Sequence, residues 1–318
     1  MSFHPETESY KYWTQEEDFK LKELVESGRF NFKDISKSMN RSTSSCQSHS
    51  SLLGYKNSFI KRIYSHNENF FNSPDLLNSY WAGMIAADGN VQWLGNCATI
   101  RIEICDIDHL EKFKSHVNFN GKIFITTREK RPNSMPTARL AINCRKWAKD
   151  LETNFNIIER KTKRLIPPNL NNDLLYFSFL LGYIDGDGTI HLANRQGKQE
   201  LMIGITSCSQ SILLYFKDLV TKYFQFYKLR QKHQSLHKVT NKNAYSISFA
   251  GMQALMFFDF FKDFPVPKLQ RKWNNPKVLE FLAQKKLEYP NFFNLTPELQ
   301  SIQSQLLEYK LSSNSNVL

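Results

Sequence analysis

The chain has 318 residues, of which 41% are hydrophobic and 14% aromatic, and its formal net charge is +12. This length allows two or three domains, and the composition excludes a generally disordered protein. No apolar run is long enough to span a membrane, and the first residues, MSFHPETESY, lack the apolar core of a secretory signal. The cysteines are odd in number and form no CxxC pair, which argues against a disulfide framework or zinc module and predicts an intracellular, reducing location. They are Cys46, Cys97, Cys105, Cys144 and Cys208.

Residues 1–54 form the first predicted domain, a small helical module. A tryptophan, an acidic cluster and spaced apolar residues in this segment are similar to a Myb/SANT repeat, which implies three helices ending in a helix-turn-helix. The last helix is expected over about residues 43–53, where it could enter the major groove. The resemblance is carried by Trp13, Thr14, Glu16, Glu17, Asp18, Leu21, Leu24, Val25, Phe32, Ile35, Met39, Arg41, Ser42 and Cys46.

The charge of this module leaves its role open. Residues 1–72 carry 10 basic and 9 acidic side chains. In the expected last helix, Ser48, His49 and Ser50 stand where basic and bulky aromatic residues are usual in the family. DNA binding, protein contact and a purely structural role all remain candidates. A linker over residues 55–73 follows, and its bases, Lys56, Lys61 and Arg62, could lie along a phosphate backbone.

Two nine-residue segments then repeat: WAGMIAADG ends at Gly89 and LLGYIDGDG ends at Gly188. Each is followed by an alternating strand, a helix with a Phe-Lys pair, a basic strip, a second alternating strand and a helix that leads to an Arg-Lys pair. The same order of elements in both segments, with small changes in length, is typical of a duplicated domain. We therefore predict two halves, residues 74–168 and 169–290. Each is an α+β unit of the order αββαββα, with helices covering one face of an antiparallel sheet.

The basic residues of the repeat are concentrated in two strips. Residues 112–149 hold 10 bases and one acid, Glu129, and residues 219–258 hold 6 bases and no acid. Two such strips at matching places would repel each other unless a polyanion lay between them. This arrangement favours a nucleic-acid partner, although each strip taken separately could be a solvated face.

The first helix of each half carries small residues four positions apart and ends in an acid. One helix is expected to start with Ser73 as its N-cap, Pro74 as its first residue and Asp75 as a first-turn acid, and the other to start near Asn172-Asp173. The small residues lie on one helix face and would let two backbones approach closely. They are Gly83, Ala87, Gly182 and Gly186.

If the helices pack through these faces, Asp88 and Asp187 lie side by side. Two carboxylates at the negative ends of two helices repel each other at neutral pH. A cation between them would remove the repulsion, and Mg²⁺ suits carboxylate, carbonyl, water and phosphate oxygens. The alternative is that both segments are ordinary helix ends with a capping glycine.

Trp81–Gly89 and Leu180–Gly188 resemble the two signature motifs of the LAGLIDADG homing endonucleases, over about residues 74–290. The resemblance implies a pseudo-twofold monomer with a saddle of two antiparallel sheets, which makes a double-strand break in a long DNA target with Mg²⁺, for which Mn²⁺ can substitute. It implies that Asp88 and Asp187 bind metal and that Ala87 and Gly186 add backbone carbonyls. Two positions depart from the family pattern, because Trp81 replaces a leucine and Ala86 replaces the earlier acid.

The Arg-Lys pairs resemble the basic residue with which this family holds the active-site water network or stabilises the transition state. By position, Lys161 and Lys272 are the candidate catalytic lysines. The alternative for either is a phosphate contact or a solvated lysine at a helix start.

Polar and basic residues on the strands and in the basic strips are candidate DNA contacts, since a twisted ribbon fits the major groove. Each of them could separately be a solubilising charge. The candidates are Arg101, Thr126, Arg128, Lys130, Arg139, His191, Arg195, Lys228, Arg230 and Lys232.

Two other functions compete with a DNA endonuclease. One is an RNA maturase that assists intron splicing, and the other is a DNA-binding regulator that has lost cleavage. The presence of both Asp88 and Asp187 argues against each, because neither function needs both acids. We expect a monomer that binds double-stranded DNA, with intron RNA as a second candidate partner, in a nucleus or in bacterial or phage cytoplasm. Residues 291–318 are predicted to form a C-terminal helix, starting at Thr296-Pro297-Glu298, and a disordered tail.

Overall fold

The computed structural model describes residues 12–57, 64–127, 136–195, 197–224, 236–240 and 242–315. It divides the chain into two compact units, Met1–Ser65 and His66–Leu318. In the described ranges, none of the helices combines the length and the hydropathy needed to span a membrane.

The described residues of the first unit form three helices, each begun by a side chain that caps it. Thr14, Asn31 and Ser42 accept hydrogen bonds from backbone N–H groups of the first turns. Their apolar faces meet in a small separate core of Leu21, Val25, Ile35, Met39 and Cys46. The three-helix prediction is therefore confirmed. The helices are α1 (Gln15–Glu26), α2 (Phe32–Met39) and α3 (Thr43–Leu52).

The second unit repeats one order of elements, as predicted. Its first half contains α4 (Leu76–Asp88), β1 (Gly89–Leu94), β2 (Cys97–Ile104), α5 (Ile107–His116), β3 (Phe124–Thr126), β4 (Thr137–Asn143) and α6 (Arg145–Phe155). Its second half contains α7 (Asp173–Asp187), β5 (Gly188–Arg195), β6 (Lys198–Ser207), α8 (Gln210–Tyr223), β7 (His237–Lys238), β8 (Tyr245–Ala250) and α9 (Met252–Phe261). It then continues through α10 (Gln270–Trp273), α11 (Pro276–Glu288) and α12 (Pro297–Ser315). Short 3₁₀ turns lie at Lys161–Lys163 and Pro290–Phe293.

In the part of the chain that the structure describes, each half builds one four-stranded antiparallel sheet. The strand orders are β1-β2-β4-β3 and β5-β6-β8-β7, so the two halves share one topology. Alternation decides which face is buried: Ile100 and Ile102 of β2 are each 1% exposed, whereas Arg101 between them points to the opposite face. Helices cover the apolar face of each sheet, which confirms the predicted α+β class.

Residues 66–73 pack with the second unit, although the sequence pattern assigned them to a linker. Phe71 is fully buried in its core, and its carbonyl accepts a hydrogen bond from Asn154 Nδ2 at 2.9 Å. The Trp147 indole donates to the Asn67 carbonyl at 2.9 Å. At the other end of the chain, α12 buries Leu299 and Ile302 and continues through Ser315.

One helix start differs from the prediction. Helix α4 begins at Leu76 with Asp75 as its N-cap, two residues after the predicted cap at Ser73. The cause is a capping box in which Asp75 and Asn78 exchange hydrogen bonds of 2.7 and 2.8 Å. The Asn78 amide also donates to the Ser73 carbonyl at 2.7 Å, which holds that residue outside the helix.

Candidate active site

Helices α4 and α7 cross with their backbones in contact. A methyl group added at Gly83 would lie 1.9 Å from the carbonyl oxygen of Phe179, and one added at Gly182 would lie 1.9 Å from that of Tyr80. No side chain fits at either position. The crossing continues toward the helix ends, where a methyl group at Gly186 would lie 2.3 Å from Ala87 Cβ and 3.3 Å from Asp88 Oδ2. The structure thus brings together the four small residues singled out in the sequence.

Asp88 and Asp187 are the last residues of these two helices, and both are exposed. The glycines that follow, Gly89 and Gly188, are extended at φ −82° and −99° rather than left-handed. They are needed for space, since a methyl group at either would come within 2.7 Å of the backbone of Ile85 or Ile184. At the end of both α4 and α7 the chain therefore passes directly from the helix into a strand. An ordinary glycine cap would instead have a left-handed glycine.

The pKa of Asp88 is affected by burial and by the charge of Asp187. Desolvation by the surrounding protein and then the negative charge of Asp187 raise the pKa of Asp88 to about 6, although Lys272 and Lys161 oppose the shift. Desolvation also raises the pKa of Asp187, again opposed by the two lysines. The carboxyl groups and the lysine ammonium groups therefore act on one another as a single charged centre.

Lys161 and Lys272 hold the ends of the two helices. The Lys161 ammonium donates to the carbonyls of Ala86 at 2.6 Å and Ala87 at 3.2 Å. Both lysines are buried, at 8% and 6% exposure, which excludes a solvated lysine. Burial lowers the pKa of each, that of Lys272 to about 8. A cation at a helix C-terminus satisfies carbonyls that have no partner within the helix.

Lys272 is bonded more extensively than Lys161. Its ammonium donates to three carbonyls, those of Ile184 at 2.7 Å, Asp185 at 2.6 Å and Gly188 at 2.7 Å.

A buried polar network around Asp185 was not identified from the sequence. Its carboxylate is 1% exposed and accepts hydrogen bonds from Tyr80 Oη at 2.6 Å, Trp273 Nε1 at 2.8 Å and Leu269 N at 2.9 Å. The Tyr80 hydroxyl is also 2.9 Å from His109 Nε2. The partners come from both halves and are up to 105 residues apart in the chain, so no local pattern indicates them.

A cavity of about 160 Å³ opens beside Asp187. Lys161, Thr162, Tyr183 and Cys208 are among the residues that line it. The cavity therefore adjoins the Asp187 carboxylate of α7 and also Lys161, which is bonded to the end of α4.

The described DNA-contact candidates lie on the strands, away from the covering helices. Arg101 and Arg139 occupy neighbouring strands of the first sheet, Thr126 lies at its edge, and His191 and Arg195 lie on β5. Among the described residues, Arg101 Nε is buried and has no hydrogen-bond partner. The remaining candidates, Arg128, Lys130, Lys228, Arg230 and Lys232, lie outside the described residues.

Arg101 has polar neighbours on the outer strand face that were not identified from the sequence. Asn90 pairs with Arg101 across the first two strands, and Gln92 pairs with Thr99. Thr99 Oγ1 donates to Asn143 Oδ1 at 2.7 Å, which directs the Asn143 amide nitrogen away from that bond. Period-two alternation would have indicated all four as outward residues.

In the first unit, Ser48, His49 and Ser50 lie on α3, and two of these three residues have structural roles. His49 stacks on Trp13 at 4.1 Å and its Nε2 lies 2.6 Å from Asp18 Oδ1. Ser50 is buried, whereas Ser48 is exposed. The exposed residues of α3 include Gln47 and carry no charge.

A segment of each unit is similar to a known protein family. Residues 11–49 match the Myb-like DNA-binding domain, and residues 175–258 match the LAGLIDADG-like domain. No curated protein sequence matches the chain.

Several solved structures are similar in fold to about seven-tenths of this chain. The meganuclease I-SmaMI bound to uncleaveable DNA is 13% identical, over 72% of this chain and 94% of its own, with a TM-score of 0.42. The homing endonuclease I-GzeII in complex with its DNA target is 12% identical, over 72% and 97%, with a TM-score of 0.42. The meganuclease I-AabMI bound to uncleaved DNA is 10% identical, over 71% and 97%, with a TM-score of 0.40. The family matches confirm the resemblance at two places: residues 11–49 are similar to a Myb-like DNA-binding domain, and residues 175–258, which contain the second of the two motifs, are similar to a LAGLIDADG-like domain.

Proposed function

We propose that this protein is a site-specific DNA endonuclease that makes a double-strand break by metal-dependent hydrolysis of phosphodiester bonds. The observation that carries the proposal is the pair of exposed carboxylates, Asp88 and Asp187, at the ends of two helices that cross in contact. The relatives with solved structures are described as meganucleases and homing endonucleases bound to DNA. We extend that activity to this chain.

The residues present fit a hard divalent ion. The two side chains offer oxygen donors only, and desolvation together with the negative charge of Asp187 raises the pKa of Asp88. No cluster of three His, Cys, Asp or Glu side chains occurs in the described ranges. The remaining ligands would be backbone carbonyls such as those of Ala87 and Gly186, water and DNA phosphate, a donor set that suits Mg²⁺ and also Mn²⁺. When bound, such ions polarise a phosphate and lower the pKa of a coordinated water.

The protein's own residues would supply the geometry of the reaction. Asp88 and Asp187 would hold a divalent ion at the surface, where both side chains are exposed. Lys161 and Lys272 keep the helix ends in place and put positive charge next to the two acids, where negative charge develops as phosphate is attacked. The cavity beside Asp187 gives room for a water molecule close to the carboxylate and Lys161.

The outer faces of the two sheets would bind the duplex. Arg101 and Arg139 can donate to guanine edges, and the amides of Asn90, Gln92 and Asn143 can pair with adenine. Among the described residues Arg101 Nε has no hydrogen-bond partner, and a rotation of the side chain toward the duplex would give the guanidinium acceptors there.

Substitution of each acid tests the proposal. A target is first selected as cleaved sites from a random duplex library with Mg²⁺. Asp88→Asn and Asp187→Asn should each abolish cleavage of that target and keep DNA affinity, because each removes metal ligands and no phosphate contact. The matched control is Asp173→Asn at the opposite end of α7, where the carboxylate bonds to Lys222 at 2.7 Å.

Three outcomes would contradict the proposal. Normal cutting by either active-site variant would exclude that carboxylate from the reaction. Binding of DNA by the wild-type chain with no cut products would indicate a regulator. Selective binding of structured RNA with no cut DNA would indicate a splicing helper.

A further inference from the structure

The carboxylate of Asp185 holds the segment that carries Lys272. This segment, α10, begins after Leu269 and ends at Trp273, and Asp185 accepts a hydrogen bond from the backbone N–H of the first and the indole N–H of the second. Lys272, between these two anchors, donates to the Asp185 carbonyl. A third bond, from Tyr80 of α4, ties the same carboxylate to the other half.

The matching place in the first half has no such anchor. Asp185 lies two residues before Asp187, and the residue two before Asp88 is Ala86, whose methyl group cannot accept a hydrogen bond. After Lys161 comes Thr162, where Trp273 follows Lys272. Both Lys161 and Thr162 line the cavity beside Asp187. Lys272 therefore lies on a segment that a buried carboxylate holds, whereas the residue matching Asp185 in the first half is an alanine and Lys161 borders the cavity.

We propose that Asp185 is a positioning residue that locks Lys272 onto the end of α7, and that the two halves of the active centre are consequently unequal, because no equivalent carboxylate holds the segment that carries Lys161. The catalytic consequence rests on the proposed nuclease function: the two strands of the target would be cut at different rates. The locking of Lys272 is a property of the protein alone and can be measured without DNA.

An Asp185→Asn substitution removes the lock with almost no change in volume. The three groups that surround this side chain are all donors toward it, namely an indole N–H, a backbone N–H and a phenol O–H. The amide NH₂ of asparagine would face at least one of them donor to donor. That contact should push α10 away from the end of α7 and release the Lys272 ammonium from its three carbonyls.

Competitive acetylation of lysines, read by mass spectrometry on the full chain without DNA or metal, measures this release. Using acetic anhydride as the probe, we expect Lys161 to react faster than Lys272 in the wild type. Asp185→Asn should raise the Lys272 rate by about tenfold or more, the factor that corresponds to one charge-assisted hydrogen bond, and leave the Lys161 rate unchanged. The control is Asp173→Asn, which removes a carboxylate from the same helix and should change neither rate.

A second variant protects the test against a folding failure. Trp273→Phe removes only the indole donor and keeps an aromatic ring against Phe258, with which Trp273 stacks at 5.6 Å. It should raise the Lys272 rate by a smaller factor. If the two lysines react equally in the wild type, or if neither variant changes the Lys272 rate, the proposed lock is wrong.

Plasmid cleavage then separates this inference from the nuclease proposal. With a selected target, Asp185→Asn should accumulate nicked circles, because one strand is still cut at the Lys161 half. Equal slowing of both strand cuts would overturn the inequality of the halves. A wild-type protein that cuts no DNA would overturn the nuclease function, whereas the acetylation result would stand.

Discussion

The acids of the candidate centre are exposed, as charged side chains usually are, whereas its two lysines are buried. A lysine is rarely fully buried unless it is paired. Here Lys161 and Lys272 find their partners in helix-end carbonyls, so their charge offsets two helix dipoles as well as two carboxylates. The acids are thereby left free to face a ligand.

The titration of Asp88 tests this arrangement. In the metal-free protein its carboxyl should titrate near pH 6, as followed by ¹³C NMR of the side-chain carboxyls. Asp187→Asn should lower that pKa, because the nearest negative charge is removed. Since the folded pKa lies above the ordinary value of 3.8, this group's contribution to stability is full below about pH 4 and is lost as the pH rises through 6. An unchanged Asp88 pKa in the Asp187→Asn variant would show that the two acids do not interact.

Replacing the lysines tests their two roles together. Lys161→Met or Lys272→Met should slow cleavage by about 10²-fold or more if the charge supports the reaction. Each should also lower the free energy of unfolding, because an unsatisfied buried carbonyl costs about 1–3 kcal/mol. Thermal unfolding and single-turnover cleavage measure the two effects. A variant that only binds DNA more weakly, with a smaller salt dependence, would identify that lysine as a phosphate contact.

At the scale of elements, the crossing of α4 and α7 sets the distance between the acids. Both helices are apolar on all sides and almost wholly buried, so the glycines at their contact control how closely they approach. Ser178 strengthens the crossing, because its hydroxyl donates to the Leu76 carbonyl at 2.5 Å.

A methyl group at the crossing should force the helices apart. Gly182→Ala would place its Cβ 1.9 Å from the Tyr80 carbonyl oxygen, and no side-chain rotation can relieve contact with a backbone atom. We expect a loss of about 3 kcal/mol or more in the free energy of unfolding, at or beyond the usual range for overpacking. The control is Gly204→Ala, whose methyl group would meet only the Thr189 hydroxyl at 3.0 Å. Equal unfolding midpoints for the two variants in chemical denaturation would contradict the close crossing.

At the scale of the whole molecule, the two units have separate cores. Residues 1–72 are close to neutral, whereas the rest of the chain carries almost all of the net positive charge. The last helix of the first unit, α3, presents uncharged side chains, and its His49 contacts Trp13 and Asp18. Its contribution to DNA affinity should therefore be small, and most of the affinity should come from the larger unit.

Removal of residues 1–65 tests this division. The remaining chain keeps Phe71 and the rest of the larger core, so it should fold and cut the same central sequence. If the small unit contacts flanking DNA, tethering makes even a weak contact effective, and its loss should shorten the footprint on a long duplex. A footprint of unchanged length and affinity would leave protein contact or stability as the unit's role. Failure of the truncated chain to fold would contradict the boundary at Ser65.

Several features could be predicted without coordinates because they are repeated or periodic. The Asp-Gly helix ends, the small residues four apart and the alternating strands each follow from local chemistry, and their duplication made the αββαββα order of both halves visible. The start of α4 was misplaced by two residues because a serine, a proline and an aspartate in succession all favour a helix start, and the Asn78 side chain decided among them.

The features that could not be predicted depend on groups distant in the chain. Lys161 and Lys272 were placed near the centre, but their bonds to helix-end carbonyls 74 to 88 residues away depend on how the halves pack. Asp185 looked like one member of a motif, and its partners Tyr80, Leu269 and Trp273 meet it only inside the core. A buried carboxylate must find donors wherever the fold supplies them, so its role follows from packing rather than from its neighbours in the chain.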